Sequence, residues 1–292
     1  MTLPGGDLAA PAHATASPAE SPTTADVTVV VPARNAERLL PDCLASIVGQ
    51  APGGLILVDG LSTDATVEIA GRLGAIVISD EGRGLPYARA AGARAAGTRY
   101  VALVDADVIL PDGSLAALLE EFLDQGYVAL QAGLESEAGP GYWGQALAWH
   151  HRTGRSRSWF GLVATLVERD RLLEHGFDPE FESGEDIELR WRLARAGEKT
   201  GVSRTVIVRH RFDDTWEFAR GQFRADGKGL ARMVRKHGLR GARLLLLPGA
   251  AAVRGAGLCL IRGKPQFVAY FLAFALGNYV AMAGELLHLR RR

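Results

Sequence analysis

The chain has 292 residues, an apolar content of 48% and a formal net charge of zero. That excludes a collagen-like, disulfide-framed or wholly disordered chain and provides core for one large domain, with or without an appendage. The charge is unevenly placed: from Arg204 onward there are 17 Lys and Arg against 5 Asp and Glu, so the second part is basic as well as apolar, which argues for a membrane surface and against nucleic acid.

The elements are predicted in chain order. Residues 1–25 are rich in Ala, Pro, Ser and Thr and lack both a basic n-region and an apolar h-region, so a disordered tail is expected and a secretory signal is not. Residues 26–31 (DVTVVV) form a β-branched run stopped by Pro32, a first buried strand. Leu39, Leu40, Cys43, Leu44, Ile47 and Val48 then recur at helical spacing. Residues 55–58 (LILV) give a second strand, and Ser62 to Asp64 can cap the helix that follows. A short strand at 75–79, a glycine-rich loop and an Ala/Arg-rich helix over 86–96 lead to the apolar run 100–104 (YVALV). Alternating strands and helices at this spacing predict an α/β fold with a mostly parallel sheet and right-handed crossovers. Cys43 and Cys259 form neither a metal-ligand spacing nor a disulfide framework, as expected in a reducing compartment.

Three predicted strand ends (residues 32–35, Asp59 and Asp105) converge on one sheet edge, where open α/β sheets bind ligands. There is no GxGxxG after the first strand and no GxxxxGK[ST], which disfavours a dinucleotide fold and a P-loop NTPase. Instead the buried run ends in Asp105-Ala106-Asp107. Two carboxylates there suit a hard divalent cation shared with phosphate oxygens; two solvated aspartates at a turn is the plainer alternative.

Beyond a helix through Leu115 and Phe122, strands are expected at 127–132, at 161–167 facing the site, and at 205–208. His150 and His151 could be ligands or bases, or simply one packed and one solvated ring. A second acidic centre lies at Glu185-Asp186, on the first turn of a helix whose macrodipole favours anions. Capping alone would explain it, yet a carboxylate fixed there can also be a general base. His210, at a strand end, could complete an acid-lined metal site or pack as a structural residue. Residues 215–237 read as an amphipathic helix lying on a membrane surface. Residues 244–261 are apolar but interrupted by Pro248 and Arg254, and residues 266–287 are long enough to span a bilayer. Basic residues flank that last stretch on both sides, Arg262 and Lys264 before it and Arg290 to Arg292 after it, so no orientation follows.

The ordered set VVVPARN, VDGLSTD, ALVDADVILP and GEDIELRWRLARAG resembles family 2 glycosyltransferases with the GT-A fold, over roughly residues 26–212. The resemblance implies a GT-A Rossmann-like catalytic domain over residues 26–214; the basic and apolar residues 215–292 beyond it read as a membrane-associated helical region, either one or two spans or interfacial helices docked on the catalytic domain, with a soluble helical cap as the alternative. It implies that Pro32, Ala33 and Asp59 hold the nucleoside, that Asp105 and Asp107 bind a divalent metal (Mg2+ or Mn2+) and the sugar-diphosphate, and that Asp186 is the base with Glu185 beside it. His210 would be a further metal ligand, and residues 161–165 would face the acceptor. Many family members carry a second aspartate where this chain has Gly60 and an asparagine where it has Ala90; Arg89, next to that alanine, would reach a phosphate. The function implied is inverting transfer of a sugar from a nucleotide-sugar to a lipid-linked or polysaccharide acceptor at the cytoplasmic face of the membrane. A non-catalytic sugar-nucleotide binding module and a nucleotidyltransferase are the alternatives.

Overall fold

The computed structural model describes residues 21–154 and 160–289; most of the expected N-terminal tail and the basic Arg290 to Arg292 lie outside them. The first half alternates strand and helix as β1 (Val27–Ala33), α1 (Leu40–Val48), β2 (Gly54–Asp59), α2 (Thr66–Arg72), β3 (Ile76–Ser79), α3 (Leu85–Ala95) and β4 (Tyr100–Val104). Then come β5 (Val108–Ile109), α4 (Ser114–Gln125), β6 (Ala129–Ala138), α5 (Tyr142–Thr153), β7 (Ala164–Glu168), α6 (Arg169–His175), α7 (Glu185–Arg195) and β8 (Thr200–Phe212). The strands join in one sheet of order β3-β2-β1-β4-β7-β6-β8-β5.

β1, β2, β3 and β4 are parallel, as their crossover helices require. Their side chains alternate between two cores. Val27, Val29 and Val31 pack with Leu40, Leu44 and Ile47 of α1 and Leu118, Leu119 and Phe122 of α4. Val30, Val101 and Leu103 face the other way, toward α3, α6 and α7. Each such fully buried Val or Leu contributes about 1.5–3 kcal/mol of burial free energy. On that second face α3 lies very close to β1: a Cβ on Gly92 would stand 2.2 Å from Val30 Cγ1.

Two strands depart from the expected pattern. The segment expected as a strand over 161–167 pairs only from Ala164, and it runs antiparallel to β4, with Leu103 opposite Thr165. An antiparallel strand brings its own N-terminal end to the ligand-binding edge, so residues 161–163 become a loop beside Asp105. β8 extends well beyond the expected 205–208: Arg209 and Arg211 interrupt the apolar run but stay paired with Glu135 and Glu137 of β6, while Arg204 falls where the register of the ladder shifts.

The C-terminal part comprises α8 (Trp216–His237), α9 (Leu239–Ala242), α10 (Leu247–Ile261) and α11 (Val268–Leu289). The expectation that the amphipathic helix over 215–237 lies on a membrane is corrected. Phe223, Leu230, Ala231 and Met233, the apolar face of α8, are buried inside the protein. α11 runs along α8: a Cβ on Gly277 would meet Phe223, and one on Gly227 would lie 2.4 Å from the Asn278 carbonyl. Arg232 Nε donates to Glu285 Oε1 at 2.8 Å across the same contact. Trp143, Phe223, Tyr270 and Phe274 knit α5, α8 and α11 with edge-on and tilted ring contacts.

Candidate active site

The donor-side corner is built from the ends of β1 and β2, which lie side by side with Pro32 opposite Val58 and Ala33 opposite Asp59. Asp59 is nearly buried, and both of its carboxylate oxygens accept from the Ser62 backbone N–H at 3.2 Å. The turn this closes holds Leu61 at φ 61°, a left-handed conformation that costs a non-glycine residue energy and is found where function over-determines the backbone. Asn35, also left-handed at φ 49°, accepts from the Thr63 N–H at 2.8 Å. The loops after β1 and β2 are thereby tied into one rim.

At the end of β4 the Asp105 N–H donates to the Val163 carbonyl at 2.8 Å, and the Asp107 carbonyl accepts from Arg211 N–H at 3.0 Å. The two acids are therefore clamped between the loop before β7 and the end of β8. Their side chains have different partners. Asp105 Oδ1 accepts from Arg89 Nη2 at 2.8 Å, while Arg89 Nη1 pairs with Glu185. The guanidinium is buried, 3% exposed, and both of its ends are engaged by carboxylates. Arg89 thus links the β4 acids to the α7 acids. Burial pushes the Asp105 carboxyl above its usual range; Arg89 pulls it down and Asp107 adds to the rise.

Asp107 Oδ2 lies 3.4 Å from His210 Nε2, because Val108 pairs with His210 across β5 and β8. Burial works against the His210 charge, but Asp107 and Asp105 outweigh it and hold the imidazole above its ordinary value. Among the described residues no three His, Cys, Asp or Glu side chains gather as a ready ligand set. Asp107 Oδ1, however, is buried without any hydrogen-bond partner. An orphaned carboxylate oxygen of that kind calls for a cation or a donor. It fits a hard divalent ion that takes one or two carboxylates from the protein and its remaining ligands from phosphate and water.

The acceptor-side wall starts at Gly184, the residue before α7, which adopts φ 79°. A Cβ there would be strained and would stand 3.0 Å from Gly229 Cα of α8, so glycine is required on both counts. Glu185 and Asp186 occupy the first turn. Burial, and then the Glu185 charge, raise the Asp186 carboxyl to about 6, against the pull of the Ile187 N–H and Arg89. The Gly161 backbone passes beside it: a Cβ on Gly161 would lie 3.3 Å from Asp186 Oδ2, and the Gly161 N–H donates to Gln131 Oε1 at 2.8 Å.

The residues singled out in the sequence therefore converge on one edge of the sheet: Pro32, Ala33 and Asp59 at one end, Asp105, Asp107 and His210 in the middle, Glu185 and Asp186 at the other. His150 and His151 are structural. His150 Nδ1 bonds the Tyr270 hydroxyl at 3.1 Å and His151 Nδ1 bonds Ser136 Oγ at 2.7 Å. Burial pushes them down to about 4 and about 3. Sequence reasoning passed over Gln131, fully buried under the site, although an inward polar residue in a β-run marks it.

The sequence model of Glycosyl transferase family 2 matches residues 28–175, just over half of the chain and the stretch that carries the donor corner and the β4 acids. The chain is a member of glycosyl transferase family 2. An uncharacterized glycosyltransferase of Mycobacterium tuberculosis is 35% identical over 181 residues, covering 59% of this chain and 80% of the relative. Pre-mycofactocin glycosyltransferase of the same organism is 29% identical over 216 residues, 66% of this chain and 44% of the relative. Among solved structures, S. aureus TarS in complex with UDP superposes with a TM-score of 0.53 at 16% identity, covering 91% of this chain and 92% of that one. Glucosyl-3-phosphoglycerate synthase from M. tuberculosis does so with a TM-score of 0.53 at 22% identity over 70% and 79% of the two chains. These likenesses establish the α/β, GT-A-type architecture of the glycosyltransferase. Family membership also sets aside the nucleotidyltransferase and the non-catalytic binding module.

Proposed function

We propose that this glycosyltransferase moves a sugar from a nucleotide-sugar donor to a hydroxyl of a lipid-linked or saccharide acceptor, with inversion at the anomeric carbon. The observation that carries the reading is the division of carboxylates about Arg89, with Asp105 and Asp107 at the end of β4 and Asp186 at the start of α7. Pro32, Ala33 and Asp59 cradle the nucleoside. Asp105, Asp107 and His210 would hold Mg2+ or Mn2+, which when bound supplies positive charge to the diphosphate leaving group. Asp186 takes the proton of the acceptor hydroxyl as its oxygen bonds to the anomeric carbon and the bond to the diphosphate oxygen breaks. A carboxylate held near 6 is ionised at neutral pH and still basic enough to accept that proton. Arg89 keeps the two acid groups in fixed register and is a positioning residue rather than a phosphate ligand. One base and one displacement give inversion.

The same proposal places the enzyme at a membrane. Residues 239–261 and 265–287 are each apolar and long enough to cross one, and Leu246, Val253, Leu260, Leu272, Leu276 and Val280 are largely exposed. The opposite side of α11 buries Tyr270, Asn278 and the Glu285–Arg232 pair against α8, and Phe271 against α5 and α10. A helix packed along a charged partner on one side and apolar on the other suits an interfacial position better than a free span. Residues 26–214 then form the catalytic domain and 215–292 the membrane-facing region, with α8 shared between them.

The test is release of nucleoside diphosphate from a panel of UDP-, GDP-, ADP- and dTDP-sugars, with Mg2+ or Mn2+ and with chelator. The proposal expects one nucleotide class to be turned over only with metal. Turnover of none of them, or turnover indifferent to chelator, would count against it.

A further inference from the structure

A cavity of about 500 Å3 opens between the end of β6, α5 and the turn that joins α10 to α11. That is room for a small ligand, and none of the site residues described above lines it. Arg152 of α5 and Lys264 of the turn bring two cations to it, and the rings of Trp149 and Phe267, 6.2 Å apart, form its apolar part. The Arg152 and Lys264 side chains have no ion-pair or hydrogen-bond partner among the described residues. No Asp or Glu lines the cavity, and residues 155–159, which follow α5 in sequence, read RSRSW and contain no acid. Glu137 points to the other face of β6 from Ala138 and pairs with Arg209. Asp214, beside Gly139, accepts the Gly141 N–H on Oδ2 at 2.7 Å.

Both cations stand on fixed backbone. The Tyr142 hydroxyl donates to the Gln266 carbonyl at 2.7 Å and accepts from the Tyr270 N–H at 3.2 Å, which ties the start of α5 to the start of α11. The α10–α11 turn closes with the Lys264 N–H on the Cys259 carbonyl at 2.7 Å, and Gly263 supplies the left-handed φ of 64° that the reversal needs. Gln145 Nε2 donates to the Pro140 carbonyl at 2.7 Å, which satisfies that acceptor in the cavity wall. Immediately before the turn, Leu260 and Ile261 are 64% and 81% exposed, so apolar surface adjoins Lys264 along the chain. On the β6 side, Ser136, two residues before Ala138, pairs with His210. The cavity therefore flanks the sheet edge that carries the active site.

We propose that this cavity holds the phosphate headgroup of an anionic membrane lipid, with Arg152 and Lys264 as its ligands and the acyl chains against Leu260 and Ile261. The inference rests on the reading that the enzyme works at a membrane, and it names the headgroup on which the enzyme docks. Two cations with no carboxylate in the lining suit a phosphodiester of net negative charge. A zwitterionic headgroup would bring its own ammonium into the same positive field. The rings of Trp149 and Phe267 cover the carbon atoms of the headgroup. A lipid held here orients the catalytic edge, His210 included, toward the bilayer rather than leaving it merely near one.

The experiment is cosedimentation of the full chain with phosphatidylglycerol and with phosphatidylcholine vesicles. Diffuse attraction to an anionic surface is worth about fivefold per cation wherever the cation lies. Arg152→Gln/Lys264→Gln should therefore lose at least tenfold more affinity for phosphatidylglycerol than Arg254→Gln/Arg262→Gln, which removes the same charge outside the cavity. Gln145→Trp, which narrows the cavity and leaves the charge unchanged, should lower that affinity at least fivefold. All five positions are exposed, so the variants should keep the wild-type melting temperature. sn-Glycerol 1-phosphate, a phosphate without acyl chains, should not displace the wild-type protein at the lipid's own concentration. Equal losses in the two double variants, an unaffected Gln145→Trp, displacement by the soluble phosphate, or wild-type binding as tight on phosphatidylcholine would overturn the proposal and leave the membrane reading standing. Failure of the wild-type chain to bind vesicles of either kind would remove that reading and the proposal with it.

Discussion

At the residue scale the site is organised by Arg89, a buried cation with a carboxylate at each end. Replacing it by Met leaves Asp105 and Glu185 facing each other without neutralisation, and loss of one partner of a buried pair typically costs about 3–5 kcal/mol. Denaturant unfolding of Arg89→Met should show a loss of that size; a change under about 1 kcal/mol would mean that the pair is solvated. Asp186 gives a second prediction. As a base it must be ionised, so turnover should fall as pH drops through about 6. Because its folded pKa is raised, the ionised form opposes folding, and that penalty is fully present above about pH 6 and absent below the unfolded value. Asp186→Asn should therefore raise the melting temperature at pH 8 and leave it unchanged at pH 3.5, a comparison that thermal denaturation at the two values decides. The acids themselves were legible in the sequence, since Asp105-Ala106-Asp107 and Glu185-Asp186 stand out against apolar surroundings. Their shared partner was not, because Arg89 and Glu185 are separated by 96 positions and nothing in either segment marks the pairing.

At the scale of elements, continuous apolar and β-branched runs and helical spacing located the first four strands and their crossover helices, with β1, β2 and β4 buried on both faces. They failed where tertiary pairing overrode the local signal. β7 looks like any buried strand, and its antiparallel direction follows from which neighbour it finds. α8 carries a membrane-like amphipathic pattern, yet α11 covers its apolar face. Close helix packing yields a further prediction. Gly92→Ala drives a methyl group into Val30, so α3 must retreat from β1, and overpacking of this kind costs about 1–3 kcal/mol. Equilibrium unfolding should find the loss. A neutral result would show that α3 has more room against the sheet than its 2.2 Å approach allows.

At the scale of the molecule, a catalytic sheet edge and an apolar helical face belong to one body joined through α8. Leu246, Val253, Leu260 and Leu276 on that face are exposed in the range of 64–77%, and the flanking Arg262 and Lys264 favour anionic lipid. Sedimentation with phosphatidylglycerol vesicles should recover the wild-type chain. Recovery should fall at least tenfold when those four residues are replaced by Gln, and should be weaker on phosphatidylcholine; equal recovery of the variant would locate the contact elsewhere. The central claim is that donor binding and proton removal belong to different carboxylates at the two ends of Arg89. Nucleotide-sugar binding and turnover of Asp186→Asn, measured together with metal present, test it most directly. Donor affinity within about twofold of wild type with turnover reduced at least a hundredfold is the predicted result; turnover close to wild type, or loss of donor binding in step with turnover, would contradict it.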